Sequence, residues 1–434
     1  MTQSSKQTQL KIFLPITARP PPGVADTWLA RLRQQYFSSA LSAALTVATL
    51  FLFYLLISPL VDWAIIKAVW SAADRRECYS ISPDGACWAG IVHWFNNIIY
   101  GRYPDLEQWR INLVFIALVA WAWPIFVSRF PHKTLVFLSL WFIFPLFASY
   151  LLLGGTHNIV SQIFFAVACA MVIIIVACLV WLLLGRGLNP SHSSLMRLRL
   201  PALGLTVLAF ACQYYLVLVP VETTRWGGLF LTLVIASVAI MMALPIGILL
   251  ALGRRSSLPV IKYLSITFIE LVRSVPLITV LFMAVTMLPF FMPNSVELDK
   301  LAQVLVAVSL FSGAYMAENV RGGLQAIAQG QTEAAQSLGM NYWQTMLFIV
   351  LPQALRLMIP NIVTSFISTL KDTTLVSIIG LFDILLMAKN MALDKKWLDL
   401  HTEPLVLIAT IFFVLCYGMS QYSLHLERKL QWSH

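Results

Sequence analysis

The chain has 434 residues, of which 59% are hydrophobic and only 11% charged. A soluble domain carries roughly 25% charged residues, so this composition excludes a large water-facing surface, a disordered chain, a coiled coil and a small disulfide scaffold. Its 29 Lys and Arg against 19 Asp and Glu leave a net charge of +10, the basic excess expected of cytosolic loops in a multi-pass helical membrane protein; no basic run interleaved with aromatics argues for nucleic acid.

Residues 1–38 are mostly polar and include Arg19-Pro20-Pro21-Pro22-Gly23. They read as a cytosolic tail rather than a signal peptide. Apolar runs follow at 39–61, 111–128, 134–153, 161–184, 200–219, 227–252, 264–290, 302–320, 344–366 and 404–424. Each approaches the ~20 residues needed to cross a bilayer as a helix. Arg129, Lys133, Arg186, Arg197, Arg199, Arg254, Arg255, Lys262, Arg428 and Lys429 fall in alternate connections or at the C-terminus, and the basic side is the cytosolic one. Both termini are therefore expected in the cytosol.

The first outer connection, near 62–110, is long and carries Cys78 and Cys87. An oxidising compartment would allow these two to bond, and a reducing one would leave two thiols. Cys169, Cys178, Cys212 and Cys416 lie in apolar runs and read as packing residues. The run 375–391 is interrupted by Gly380, Asp383 and Lys389 and reads as a broken or re-entrant segment. The chain divides near 222. A scaffold over 39–221 holds about five helices, and a working region over 222–434 holds about five more.

After the eighth run comes Glu333-Ala334-Ala335, then three residues, Gly339, nine residues, Ile349, one residue and Leu351-Pro352. Gln331 to Leu338 are good helix formers. Ala334 and Ala335 let such a helix approach a partner closely, Glu333 offers a carboxylate, and Gly339 permits the turn that ends it. This pattern resembles the EAA motif of permease subunits in binding-protein-dependent ABC importers. Trp226 to Leu233, Pro245 to Ser256, Phe268 to Ile278, Tyr315 to Leu324 and Lys371 to Leu375 are similar to the polar amino-acid branch of that family. The N-terminal spans and Ala86-Cys87-Trp88-Ala89 resemble its longer, broad-specificity L-amino-acid members.

The resemblance implies an all-α polytopic fold with a type I importer core, like that of the methionine importer, plus extra N-terminal helices. It implies a bacterial inner-membrane location and a coupling helix near 331–345. The implied partners are two ATP-binding subunits that hold ATP and Mg, a second similar permease and a periplasmic amino-acid-binding protein. Acidic amino acids, their amides and other polar amino acids would be the substrates. No GxxxxGK[ST], GxSxG or HExxH pattern occurs. This chain is thus expected to be non-catalytic and to hold no metal or cofactor of its own. An ion-gradient-driven amino-acid transporter is the alternative, though it leaves the extended motif unexplained.

Ionisable groups inside spans mark transport pathways by default. Glu270 and Arg273 stand three apart, as do Ser312, Tyr315 and Glu318, with Arg321 a turn further; Thr369, Lys371 and Asp372 close the ninth run. Arg273 or Lys371 would meet a substrate carboxylate, and Glu270, Glu318 or Asp372 an ammonium. The competing reading is that Glu270–Arg273 and Glu318–Arg321 are intrahelical ion pairs that hold the fold.

Overall fold

The computed structural model describes residues 32, 35–126, 133–154, 219–291 and 299–431. The expected spans 161–184 and 200–219 lie outside these residues except for Val219, as does most of the tail 1–38. Among the described residues the chain is helical, with two isolated bridges and no strand. Seven helices or helix runs among the described residues are long and apolar enough to cross a membrane, or eight if one sharply bent pair counts as a span.

The chain separates into two compact units, Met1–Val69 with Tyr79–Ala86, and Trp70–Cys78 with Cys87–His434. In the first, α1 (Ala40–Val61) opens on a capping box between Ser39 and Ser42 and has no buried residue. It is followed by a π turn, Asp62–Ile66. α1 carries no charged residue, and Pro59 sits in its last turn.

α2 (Arg75–Ile81) begins in the second unit, which also holds the remaining elements. α2 is followed by α3 (Trp88–Tyr100), and Cys78 and Cys87 are disulfide-bonded. Next come α4 (Gln108–Phe126), α5 (Lys133–Phe142) and α6 (Phe144–Leu153). The last two form one span interrupted at Ile143, just before Pro145. Arg110, on α4, is only 1% exposed; it pairs with Glu107 at 2.7 Å and donates to the Val219 carbonyl at 2.8 Å. A buried arginine is tolerated because its charge and part of its fork are paired.

α7 (Gly228–Arg254) and α10 (Lys300–Ala326) form the central pair. At 1.5 Å per residue each is about 40 Å long, enough to cross a core of about 30 Å. On α7, Ala236, Ala239, Ala243, Gly247 and Ala251 recur every three or four residues and are all buried. Within lipid, helices gain little from hydrophobicity against each other, so small faces that allow close packing hold them together. A Cβ on Gly247 would lie 2.6 Å from Met316 Cγ, and one on Gly313 would collide with Ile246.

The run at 264–290, expected as a span, is broken at Pro276. α8 (Pro259–Ser274) and α9 (Leu277–Phe282), with the turns that follow it to Phe291, meet at 107°. Pro276 lacks an N–H and forces the residue before it out of the helical region; Val275 accordingly has φ −107° and ψ 136°.

On the far side of α10 comes α11 (Gln329–Ser337), then a capped turn at Tyr342–Gln344, a π stretch at Thr345–Val350 and α12 (Leu351–Asp372). α13 (Ile384–Met391) has eight residues, about 12 Å, too short to span. α14 (Thr402–Gln431) ends the described chain. α3 packs on α7, α13 and α14; Trp94 Nε1 on α3 donates to Asp394 at 3.0 Å, the Cys87 N–H just before α3 donates to Glu403 on α14 at 3.0 Å, and Arg75 on α2 pairs with Asp399 at 2.9 Å.

Candidate functional site

The Glu-Ala-Ala segment forms α11, which begins two residues before the expected start and stops at Ser337; the turn at Tyr342–Gln344 is separate. Its end is a Schellman motif. The Gly339 N–H donates to the Gln336 carbonyl at 2.9 Å and the Met340 N–H to the Ala335 carbonyl at 3.2 Å. The loop then needs a left-handed residue, and Gly339 has φ +79° with open space where a Cβ would point. Ala335 is buried and α11 packs against the Thr345–Val350 stretch. Glu333 and Ala334 face outward, and Leu338 is 83% exposed. Leu351 is buried at the start of α12, and Pro352 occupies its first turn, where a missing N–H costs little. Gln353 Nε2 donates to Gln331 Oε1 at 3.2 Å, tying the two helices together.

A cavity of about 680 Å³ lies among α7, the α8–α9 break, α10 and α12. Ligand pockets typically run from about 300 to 1,000 Å³. Arg273, Ser312, Tyr315, Thr369 and Asp372 all line it. Lys371 faces away and is exposed, and Glu270 and Glu318 stand outside the lining. Thr369 Oγ1 and Ser312 Oγ are 3.2 Å apart, joining α12 to α10 in the wall. Ser274, Thr364, Ser365 and Ser368 also line the cavity and were not among the expected residues. Their signal was in the sequence: Thr364, Ser365, Ser368, Thr369 and Asp372 follow one helical face.

The intrahelical Glu270–Arg273 pair does not form. Arg254, expected only as a loop charge, sends Nη1 to Glu270 Oε1 at 3.0 Å and to Glu318 Oε1 at 2.9 Å. Glu318 also holds Arg321 at 2.7 Å, which is the expected i,i+3 pair, and stands 3.7 Å from Arg273. Three helices, α7, α8 and α10, thus meet in one network. The Arg273 guanidinium lies 5.4 Å from the Tyr315 ring centroid, within cation–π range.

A bundle of helices long and apolar enough to cross a membrane, with a cavity between them that holds Arg273, Asp372 and several hydroxyls, and with a short exposed helix packed at the start of one of them, is the architecture of a transport permease. The family described as "Binding-protein-dependent transport system inner membrane component" matches residues 243–431. The chain is 40% identical over 420 residues to the inner membrane amino-acid ABC transporter permease protein YhdY of Escherichia coli K12, covering 96% of this chain and 97% of that one. It is 37% identical over 444 residues to the glutamate/glutamine/aspartate/asparagine transport system permease protein BztC of Rhodobacter capsulatus, with the same coverage. A crystal structure of an amino acid ABC transporter with histidines aligns at 32% identity and a TM-score of 0.42, covering 46% of this chain and 92% of that one.

The chain belongs to the inner-membrane permease proteins of amino-acid ABC transporters. It is a multi-pass membrane protein that works with ATP-binding and solute-binding partners, and an ion-gradient-driven mechanism is not favoured.

Proposed function

We propose that this chain forms a membrane pathway for polar L-amino acids, with the cavity among α7, α8–α9, α10 and α12 as the transport site. The observation that carries the reading is that one cavity holds Arg273, Asp372 and a hydroxyl-rich wall. An amino acid presents a carboxylate and an ammonium. Arg273 is suited to the first, Asp372 to the second, and the serines and threonines to a polar side chain. The relative whose name includes glutamate, glutamine, aspartate and asparagine supports substrates of that size and polarity.

Two ATP-binding subunits drive the cycle, and this chain hydrolyses no ATP itself. α11 docks on one of them from the cytosol, with Glu333 as its charged contact and Ala334 allowing close approach. A second, similar permease completes the membrane assembly, and a periplasmic amino-acid-binding protein delivers substrate to the outer face. Both termini are cytosolic. Closure of the ATPases moves α11, and alternating access follows as the helices around the cavity shift together.

The test is uptake of radiolabelled L-glutamine by the complete importer in proteoliposomes. Arg273→Ala and Asp372→Asn should each lower uptake at least tenfold while assembly and ATP binding persist. Wild-type uptake in both variants would overturn the assignment of this cavity. Glu333→Lys should insert and assemble but separate ATP hydrolysis from uptake.

A further inference from the structure

The charge network beside the cavity has an uneven count. Arg254, Arg273 and Arg321 share two carboxylates, Glu270 and Glu318. One positive charge is left over, and the geometry says whose it is. Glu318 is 16% exposed; its Oε1 is taken by Arg254 at 2.9 Å and its Oε2 by Arg321 at 2.7 Å. Arg273 is left with a contact of 3.7 Å to Oε2, beyond hydrogen-bond range, and its Nε is buried without a partner. Of the three arginines it is the one that lines the cavity.

The geometry points to Arg254 as a positioning residue that keeps Arg273 available for the α-carboxylate of the transported amino acid. This inference rests on the transport-site reading above. By occupying Glu318 Oε1, Arg254 prevents that oxygen from capturing Arg273. A substrate carboxylate then supplies the anion that the network lacks. Glu270 acts in the opposite sense, since it competes with Glu318 for the same Arg254 Nη1.

The two variants that probe this have opposite expected signs. Arg254→Gln frees Glu318 Oε1 for Arg273 and removes a positive charge, so carboxylate binding weakens. Glu270→Gln leaves Arg254 to Glu318 alone and removes a negative charge, so carboxylate binding holds or strengthens. A residue that only stabilised the fold would weaken binding in both cases.

The experiment is equilibrium binding to the complete importer in nanodiscs, without its solute-binding protein. The probes are L-glutamine and 4-aminobutanamide, the same molecule without its α-carboxylate. Wild type should prefer glutamine. Arg254→Gln should lose about tenfold of that preference, Arg254→Lys should restore part of it, and Glu270→Gln should keep or raise it. Equal losses in Arg254→Gln and Glu270→Gln, or no change in either, overturn the positioning role. If Arg254→Gln fails to assemble, a loss of preference in Glu270→Gln overturns it and retention supports it. Arg273→Ala separates the two levels of argument. If it abolishes the preference while Arg254→Gln does not, the transport site stands and the positioning role falls; if it leaves the preference intact, both fall.

Discussion

Asp383 offers a test in which the sign and the size of an effect both follow from one side chain. It is fully buried at the start of α13, where its Oδ1 accepts the Leu386 N–H at 3.0 Å and its Oδ2 has no partner. Burial raises its pKa from 3.8 to about 6, against the opposing pull of the Leu386 and Leu385 N–H groups and of Lys389. The folded state therefore binds the proton more tightly than the unfolded state. Its contribution is fully favourable below about pH 4 and declines as pH rises towards 6, because ionisation in place is costly. The gap between 3.8 and about 6 corresponds to about 3 kcal/mol at roughly 1.4 kcal/mol per tenfold.

Asp383→Asn keeps an oxygen for the Leu386 N–H and cannot ionise. It should match wild type well below pH 4 and exceed it by about 3 kcal/mol above pH 7. Amide exchange of residues 384–391, read by mass spectrometry at matched pH, is the direct assay. The variant should exchange about 100-fold more slowly than wild type at pH 7.5, and only about sixfold more slowly at pH 4.5. Asp383→Ala, which loses the cap as well, should fall about 1 kcal/mol below Asp383→Asn at every pH. A variant-to-wild-type ratio that stays constant from pH 4.5 to 7.5 would refute the reasoning, since it would mean that Asp383 carries no ionisation cost in the fold.

Replacing Cys78 and Cys87 together by serine removes a crosslink between positions nine apart and should cost about 2.5 kcal/mol through chain entropy, read as faster amide exchange in α2 with α11 unaffected. Gly247→Val places its Cβ only 2.6 Å from Met316 Cγ; overpacking of about 1–3 kcal/mol should lower the melting temperature of the purified importer. Gly339→Val must hold a β-branched residue at φ +79°, at a cost of about 1–2 kcal/mol, and should reduce uptake while leaving membrane insertion intact.

The apolar runs were legible because lipid leaves a helix few alternatives, and eight of the expected spans correspond to described helices or helix pairs. The coupling segment was legible for a local reason: Gly339 stands where a helix must turn left-handed, so the spacing itself encodes the stop. What escaped was tertiary. Arg254 lies 16 residues from Glu270 and 64 from Glu318, and no helical periodicity links them. The i,i+3 rule pointed to Glu270–Arg273, but Arg254 reaches Glu270 instead. The break at Pro276 was announced by the proline, yet the apolar character continues across it, so hydropathy alone merges two segments that meet at 107°. The hydroxyl stripe of α12 was visible at helical spacing, although only the cavity separates a lining face from one that merely packs.

The position of that stripe bears on how the movement proposed for α11 reaches the cavity. α12 runs without interruption from Leu351 to Asp372, about 33 Å. Its first turn is tied to α11 through Gln353 and Gln331, and its last turns carry Thr369 and Asp372 in the cavity wall. One element thus joins the outward-facing Glu333 segment to the groups assigned to the substrate. The π stretch at Thr345–Val350 and Pro360 lie along the same rod, and both are places where a helix can bend without losing its neighbours. The bond between Thr369 and Ser312 passes any shift of α12 to α10, and α10 carries Glu318, the carboxylate shared by three arginines. A displacement of α11 therefore has a continuous route of packed and hydrogen-bonded groups to both charged sides of the cavity. Cutting the route at its weakest tie, with Gln353→Ala, should leave the cavity intact and reduce uptake per ATP hydrolysed; unchanged coupling would mean that the movement enters through a different helix.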